Sequence, residues 1–214
     1  MISWDRFRYT VWAPVYDMLA GATSFADARR RSIEGLRLVP GDRLLIVGAG
    51  TGLDLDYLPV AVSITAVDVT PAMLARLERR AARLGLAVKT RVMDARVLEF
   101  PDAAFDAVVL HLVLAVMPEP ERGLREVERV LAPGGRVAIF DKFLHDTGTA
   151  PIARRVLNLV AKPTFTDLNR KLGPMVGSTR LVFERDVPAG TAGWYRIVTL
   201  VKPATQERQS GPVG

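Results

Sequence analysis

Residues 44–54 read LLIVGAGTGLD. An apolar run feeds three glycines spaced G-x-G-x-G (Gly48, Gly50 and Gly52), and Asp54 follows. A chain gives up side chains where its backbone must turn tightly or be approached closely. Between a strand and a helix, such a loop also carries the free N–H groups of a helix start. The fold must therefore be one in which a buried strand runs straight into a ligand-facing loop.

The rest of the pattern agrees. SFADARRRSIEGL predicts a helix capped by Ser24, VPGD a turn, and residues 42–47 a strand. A helix is predicted from near Gly52 to Pro59, and the β-branched VSITAVDV is a buried strand. TPAMLARLERRAARLG carries a cap candidate in Thr70, a proline in its first turn and Gly85 at its end. LAVKTRVM and FDAVVLHLVL read as strands, the second apolar enough to be central. Helix 119–131 ends at APGGR, and RVAIFD is the next strand. Residues 149–172 read as helical with a break at Pro163. TRLVFERDV and GWYRIVTLVKP are two strands joined by a turn containing Pro188 and Gly190.

Strands alternate with helices five times and a strand pair ends the chain. This predicts an α/β, Rossmann-like doubly wound sheet of seven strands, mostly parallel with an antiparallel final strand. A single domain is expected over residues 1–204: a helical cap (1–40), a cofactor-binding core (41–140), a helical acceptor-side segment (141–178) and a strand pair (179–202). Residues 205–214 are expected to be a disordered tail.

Composition removes several chemistries. There is no cysteine, which excludes disulfides, thiol nucleophiles and cysteine metal sites. Two histidines, His111 and His145, make a histidine-rich metal centre improbable, and no metal is expected. No apolar run reaches the roughly 18 residues of a membrane span. The first ten residues, MISWDRFRYT, contain no signal core, so a cytoplasmic protein is expected.

In such sheets ligands bind at the carboxyl ends of the strands. Asp68 ends the second strand, where it can accept hydrogen bonds from both hydroxyls of a ribose. Asp94 ends the third, where it can receive an adenine amino group. The dinucleotide fingerprint wants a third glycine where Leu53 stands, which counts against NAD.

The set G-x-G-x-G, Asp68, "MDA" and "LAPGGR" resembles the class I S-adenosylmethionine-dependent methyltransferases over residues 40–140. The resemblance implies S-adenosyl-L-methionine as cofactor and S-adenosyl-L-homocysteine as product. It places Gly48, Ala49 and Gly50 against the methionine part, with Thr51 and Gly52 completing the loop. Asp68 would hold the ribose, and Val69 and Met73 would flank ribose or adenine. Asp94 with Ala95 would meet the adenine edge, and His111 with Leu112 would lie under the methionine near the acceptor. One departure stands out: the family usually has an acidic residue where this chain has Ile46.

RYTVWAPVYDMLAG resembles the opening of quinone-biosynthesis C-methyltransferases, and more closely that of bacterial phosphatidylethanolamine N-methyltransferases. The resemblance puts Tyr16 beside the cofactor, with Tyr9 as second candidate. The expected acceptor is small or lipid-like. The amine of phosphatidylethanolamine leads, and a quinone precursor or secondary metabolite is the alternative. A non-catalytic binding module on the same fold is the reading from another class. Candidate proton acceptors are His111, Tyr16, Tyr9 and Asp141. His145 reads as a surface residue.

Charge adds a further expectation. Residues 1–40 hold six basic and four acidic residues, 41–140 twelve and thirteen, and 141–214 eleven and six. The excess sits on the flanks, beside Trp4, Phe7, Tyr9 and Trp12 at one end. At the other, Arg154, Arg155, Lys162, Arg170 and Lys171 accompany Ile152, Val156, Leu157 and Leu159. Two readings stay open: an ordinary solvated surface, or peripheral contact with the anionic inner face of a membrane. No nucleic-acid partner is expected, because the apolar HLVL follows the fourth strand where a base-flipping motif would stand.

Overall fold

Strand β1 (Arg43–Val47) sets the layering by period-2 alternation. Leu44 and Ile46 enter one apolar cluster, and Leu45 and Val47 enter another on the opposite face. β4 (Phe105–His111) does the same, with Ala107 and Val109 on one side and Val108 and Leu110 on the other. A strand buried on both faces needs helices on both sides. The computed structural model describes residues 23–59, 61–143, 170–189 and 195–204, and it supplies them.

Helix α1 (Thr23–Glu34) and helix α2 (Pro71–Leu84) cover the first face through Ile33, Leu74, Leu77 and Ala81. Helix α3 (Pro120–Val130) and the short α4 (Leu172–Val176) cover the second through Leu124, Val127, Met175 and Val176. Full burial of a side chain such as Leu77 contributes about 1.5–3 kcal/mol. The remaining strands are β2 (Ser63–Asp68), β3 (Val88–Val92), β5 (Leu131–Lys142), β6 (Val182–Ala189) and β7 (Tyr195–Val201).

The sheet has seven strands in the order β3-β2-β1-β4-β5-β7-β6. β1 through β5 pair in parallel, and β7 lies antiparallel between β5 and β6. The expected architecture is the observed one. Edge strand β6 carries exposed Glu184, Arg185 and Asp186, charges that discourage pairing with another chain.

Several local expectations change. Residues 93–104 join β3 to β4 without a helix, so the alternation lapses once. The segment after the glycine loop forms only a short 3-10 helix, Leu53–Tyr57. Ser24 lies inside α1 and not at its start. Thr70 takes the N-cap position of α2, but its side chain makes no capping bond. APGGR is a bulge inside β5, since Leu131 pairs with Phe105 and Arg136 with Ala107. Lys202 holds that bulge by donating from Nζ to the Glu128 and Leu131 carbonyls. Pro188 lies within β6. The expectations for residues 1–22, for the helix at 149–169 and for the 205–214 tail fall outside the described residues.

Candidate functional site

Parallel register brings the predicted positions to one edge. Val47 pairs with Val67, Asp68 with Val92, and His111 with Phe140. The glycine loop, Asp68, Asp94 and Leu112 therefore follow the carboxyl ends of adjacent strands.

The three glycines serve different purposes. All have positive φ, between 53° and 80°. A Cβ on Gly48 would sit 2.5 Å from Val113 Cγ2, and one on Gly52 would sit 2.8 Å from Leu77 Cγ. Those two permit close packing of the loop against its own protein. A Cβ on Gly50 would meet nothing within 4 Å. Gly50 therefore leaves room for a ligand to lie against the backbone.

Asp68 is tied to this loop. Its Oδ2 accepts the Gly50 N–H at 2.9 Å, its Oδ1 accepts the Thr70 N–H at 2.8 Å, and the Thr70 side chain bonds it as well. Burial raises its pKa, against the lowering effect of these hydrogen bonds. One carboxylate thus closes the loop from the end of β2. Beside it, Val69 is exposed and Met73 is buried.

Asp94 is engaged by a partner the sequence did not suggest. Arg96 donates from Nη2 to Oδ2 at 2.7 Å and from its backbone N–H to Oδ1 at 2.9 Å. The Arg96 hydrogen bond lowers the Asp94 pKa. The guanidinium also reaches Glu119 Oε1 at 3.0 Å. Asp94 remains part-exposed and shares its oxygens with Arg96; Ala95 packs against the core.

His111 is not an open base. Its side chain is fully buried; Nδ1 lies 2.7 Å from Asp54 Oδ1 and Nε2 lies 3.0 Å from Ser32 Oγ. Arg29 Nη1 donates to the same Asp54 oxygen at 2.6 Å. Burial pushes the Asp54 carboxyl up in pKa, but Arg29 and His111 outweigh this and hold it well below the usual carboxylate range. Ionised, Asp54 only accepts, so His111 Nδ1 carries the proton and, in the neutral tautomer, Nε2 accepts from Ser32. Both ring nitrogens thus have partners among the described residues.

Asp141 is engaged in the same way. It is fully buried, with Oδ2 accepting the Ala115 N–H at 3.0 Å and Oδ1 the Lys142 N–H at 2.8 Å. It braces the segment after β4, where Leu112 holds a left-handed φ of 57° and donates its N–H to the Phe140 carbonyl. A bulky residue there is a strained one, a feature that clusters at functional sites. Tyr9 and Tyr16 lie outside the described residues.

Sequence reasoning missed Arg29, Ser32, Asp54 and Arg96. A signal existed for the first two. Phe25, Arg29, Ser32 and Leu36 are spaced i, i+4, i+7, i+11, which puts a charge on the apolar face of α1. Arg30 and Arg31, its neighbours in the run, instead pair with Asp27 and Glu34 at the surface. Phe25 fixes this helix by edge-on contact with Phe140 and Tyr195, at 5.5 and 4.9 Å between centroids. Arg170, counted above as a membrane-facing cation, donates from Nη1 to the Leu114 and Met117 carbonyls and so clamps the loop after β4. Among the described residues there is no group of three or more His, Cys, Asp or Glu able to hold a metal, and no helix long and apolar enough to cross a membrane.

Comparisons with known proteins give this geometry its context. A family profile described as a methyltransferase domain matches residues 45–139. The phosphatidylethanolamine N-methyltransferase of Cereibacter sphaeroides is 39% identical over 151 residues, which is 70% of this chain and 73% of that protein. The demethylmenaquinone methyltransferase of Thermus thermophilus is 39% identical over 136 residues, 60% of this chain and 61% of that protein. Among solved structures, the [4+2]-cyclase SpnF matches with a TM-score of 0.70 and 26% identity over 84% of this chain and 82% of that one. Geranyl diphosphate C-methyltransferase from Streptomyces coelicolor A3(2), solved with S-adenosyl-L-homocysteine, shares the fold at a TM-score of 0.68 and 16% identity, over 80% and 74% of the two chains. The sheet order, the glycine loop at the end of β1 and the likeness to these enzymes converge: the chain belongs to the S-adenosylmethionine-dependent methyltransferases.

Proposed function

We propose that this methyltransferase acts on a small, lipid-like acceptor, with the amine of phosphatidylethanolamine as its leading substrate. The observation that carries this is the 39% identity over 151 residues to a protein named for that reaction. In this reading the loop 48–52 and Asp68 hold the cofactor's methionine and ribose ends, and Asp94, shared with Arg96, meets the adenine. The open space at Gly50 and the part-buried Asp68 beside it fit such a ligand.

The cofactor supplies an activated methyl group on a sulfonium, a good leaving group. The protein's part is to align an acceptor in line with it and to exclude water. Leu112 and its braced loop form the floor of that approach. A protonated amine must lose its proton before attack. His111 and Asp141 are held by other bonds, so this role falls to Tyr16, Tyr9 or water.

The test uses methyl-labelled S-adenosylmethionine with vesicles of phosphatidylethanolamine, and separately with a demethylated quinol. Label in N-methylated phosphatidylethanolamine is the expected result. Label in the quinol alone would replace the acceptor with a quinone precursor, the activity named for the Thermus relative.

A further inference from the structure

The Arg29–Asp54 pair is deeply buried, with side chains 7% and 5% exposed. Removing both charges from water is costly unless their remaining hydrogen-bonding groups are satisfied. Here they are not. Both bonds to Asp54, from Arg29 Nη1 and His111 Nδ1, converge on Oδ1. Oδ2 takes part in neither bond and, unlike Arg29 Nε, is not among the buried atoms left without a partner. Arg29 Nε is buried with no partner among the described residues. Buried polar groups are otherwise nearly always paired. His111 and Ser32, by contrast, satisfy each other.

The position of the pair is informative. Asp54 lies two residues beyond Gly52, in the first turn after the glycine loop, and His111 closes β4 on the same edge of the sheet. β1 itself ends in buried apolar Ile46 and Val47, so it offers no charge to a ligand on the loop. Asp68 stands at the end of the neighbouring β2. The edge therefore carries one carboxylate suited to a sugar, and on its other side a guanidinium with a buried, unpaired Nε beside a carboxylate whose Oδ2 neither bond occupies. A ligand bearing both an ammonium and a carboxylate complements that pair.

We propose that Arg29 and Asp54 form the receptor for the amino-acid end of the cofactor: Arg29 receives its carboxylate and Asp54 its ammonium group. Asp54 then supplies from the turn after the loop the negative charge that Ile46 cannot. His111 and Ser32 are positioning residues that hold Asp54 in place. The proposal rests on the reading that loop 48–52 and Asp68 bind the cofactor, and it names the side chains that would meet the two charged groups of its methionine end.

Calorimetric titration of the full chain tests it with two probes. S-adenosyl-L-homocysteine has the amino-acid end; 5′-methylthioadenosine keeps the adenosine and sulfur and lacks it. Arg29→Gln and Asp54→Asn are each expected to weaken S-adenosylhomocysteine roughly 10- to 100-fold, the worth of a charge-assisted hydrogen bond, and to leave methylthioadenosine unchanged. Arg29→Lys should recover part of the loss by keeping the charge. Equal weakening of both probes would reduce the pair to a fold-supporting role and overturn the proposal, as would no weakening of either. If a single variant fails to fold, Arg29→Met with Asp54→Leu removes both charges together, and the same selective loss is required of it. Asp68→Asn separates the two readings. It should weaken both probes, and an unchanged affinity for both would overturn the cofactor-site reading itself.

Discussion

Asp54 follows the glycine loop and Asp68 bonds to it, and the two respond to acid in opposite directions. Asp54 is held below the carboxylate range because Arg29 and His111 outweigh its burial. Its contribution to stability is complete above its unfolded value and lost only as pH falls through the lowered folded value. Asp54→Asn leaves Arg29 buried without a counter-charge, and should cost about 3–5 kcal/mol in denaturant unfolding at neutral pH. Among the described residues Asp68 has no cation partner, and burial raises its pKa above the ordinary 3.8. Its neutral form is the one the fold prefers, so its effect on stability favours the fold at low pH and is lost as pH rises through the raised value. Ligand binding runs the other way, because ribose hydroxyls donate to the ionised form. Affinity for S-adenosylhomocysteine should therefore fall on acidification through a window above the ordinary carboxylate value. Asp68→Asn should bind more weakly and lose that pH dependence; titrations across the acidic range check both.

The loop between β1 and the 3-10 helix is an element in which three similar residues have separable roles. Gly50→Ala meets no neighbour, so it should cost about 1–2 kcal/mol for its left-handed backbone and mainly obstruct the cofactor. Gly52→Ala adds a clash with Leu77 and should lose roughly a further 1–3 kcal/mol. Thermal unfolding and cofactor titration on the two variants should rank them in opposite orders: Gly52→Ala the less stable, Gly50→Ala the weaker binder per unit of stability lost. Leu112, after β4, carries a positive φ without being glycine. Leu112→Gly relieves that strain, worth about 1–2 kcal/mol, offset by lost packing and greater freedom of the unfolded chain. Little net change in stability, against the several kcal/mol of an ordinary leucine deletion, is the expected outcome.

Over the whole molecule, the central residues largely pair their charges. Arg43 meets Asp106, Arg129 meets Glu126 and Asp102, and Arg136 meets Glu184. Such surface pairs contribute about 0–1 kcal/mol each, so they neutralise more than they stabilise. The central residues come to −1, so the positive excess behind the net +6 lies on the two flanks. If those flanks meet a membrane, the protein should co-sediment with anionic vesicles in low salt and release near 1 M, where the screening length shrinks to about 3 Å. Binding that ignores salt, or no binding in low salt, would return the charge to an ordinary solvated surface. Arg170 is already committed to the Leu114 and Met117 carbonyls.

Local rules were enough for much of this protein. Period-2 burial in β1 and β4, the Pro71 and Gly85 ends of α2, and the glycine spacing each depend on neighbours in the chain. So the sheet, its carboxyl edge and the places of Asp68 and Asp94 on it were legible in the sequence. Thr70 read as a cap because composition does not say that Asp68 would claim its hydroxyl. His111 and Asp141 read as bases because a titratable residue at a strand end looks available until its partners are known. Those partners are Asp54, 57 residues from His111, Ser32, 79 residues from it, and the Ala115 amide, 26 residues from Asp141. Hydrogen bonds over such separations follow from how helices lie on a sheet, which no local spacing encodes. The sequence by itself determined the strand ends and the glycine loop, because these follow from neighbours in the chain; only the tertiary structure decided which titratable side chains there are already bonded, and left Arg29 Nε of the Arg29–Asp54 pair buried without a partner among the described residues.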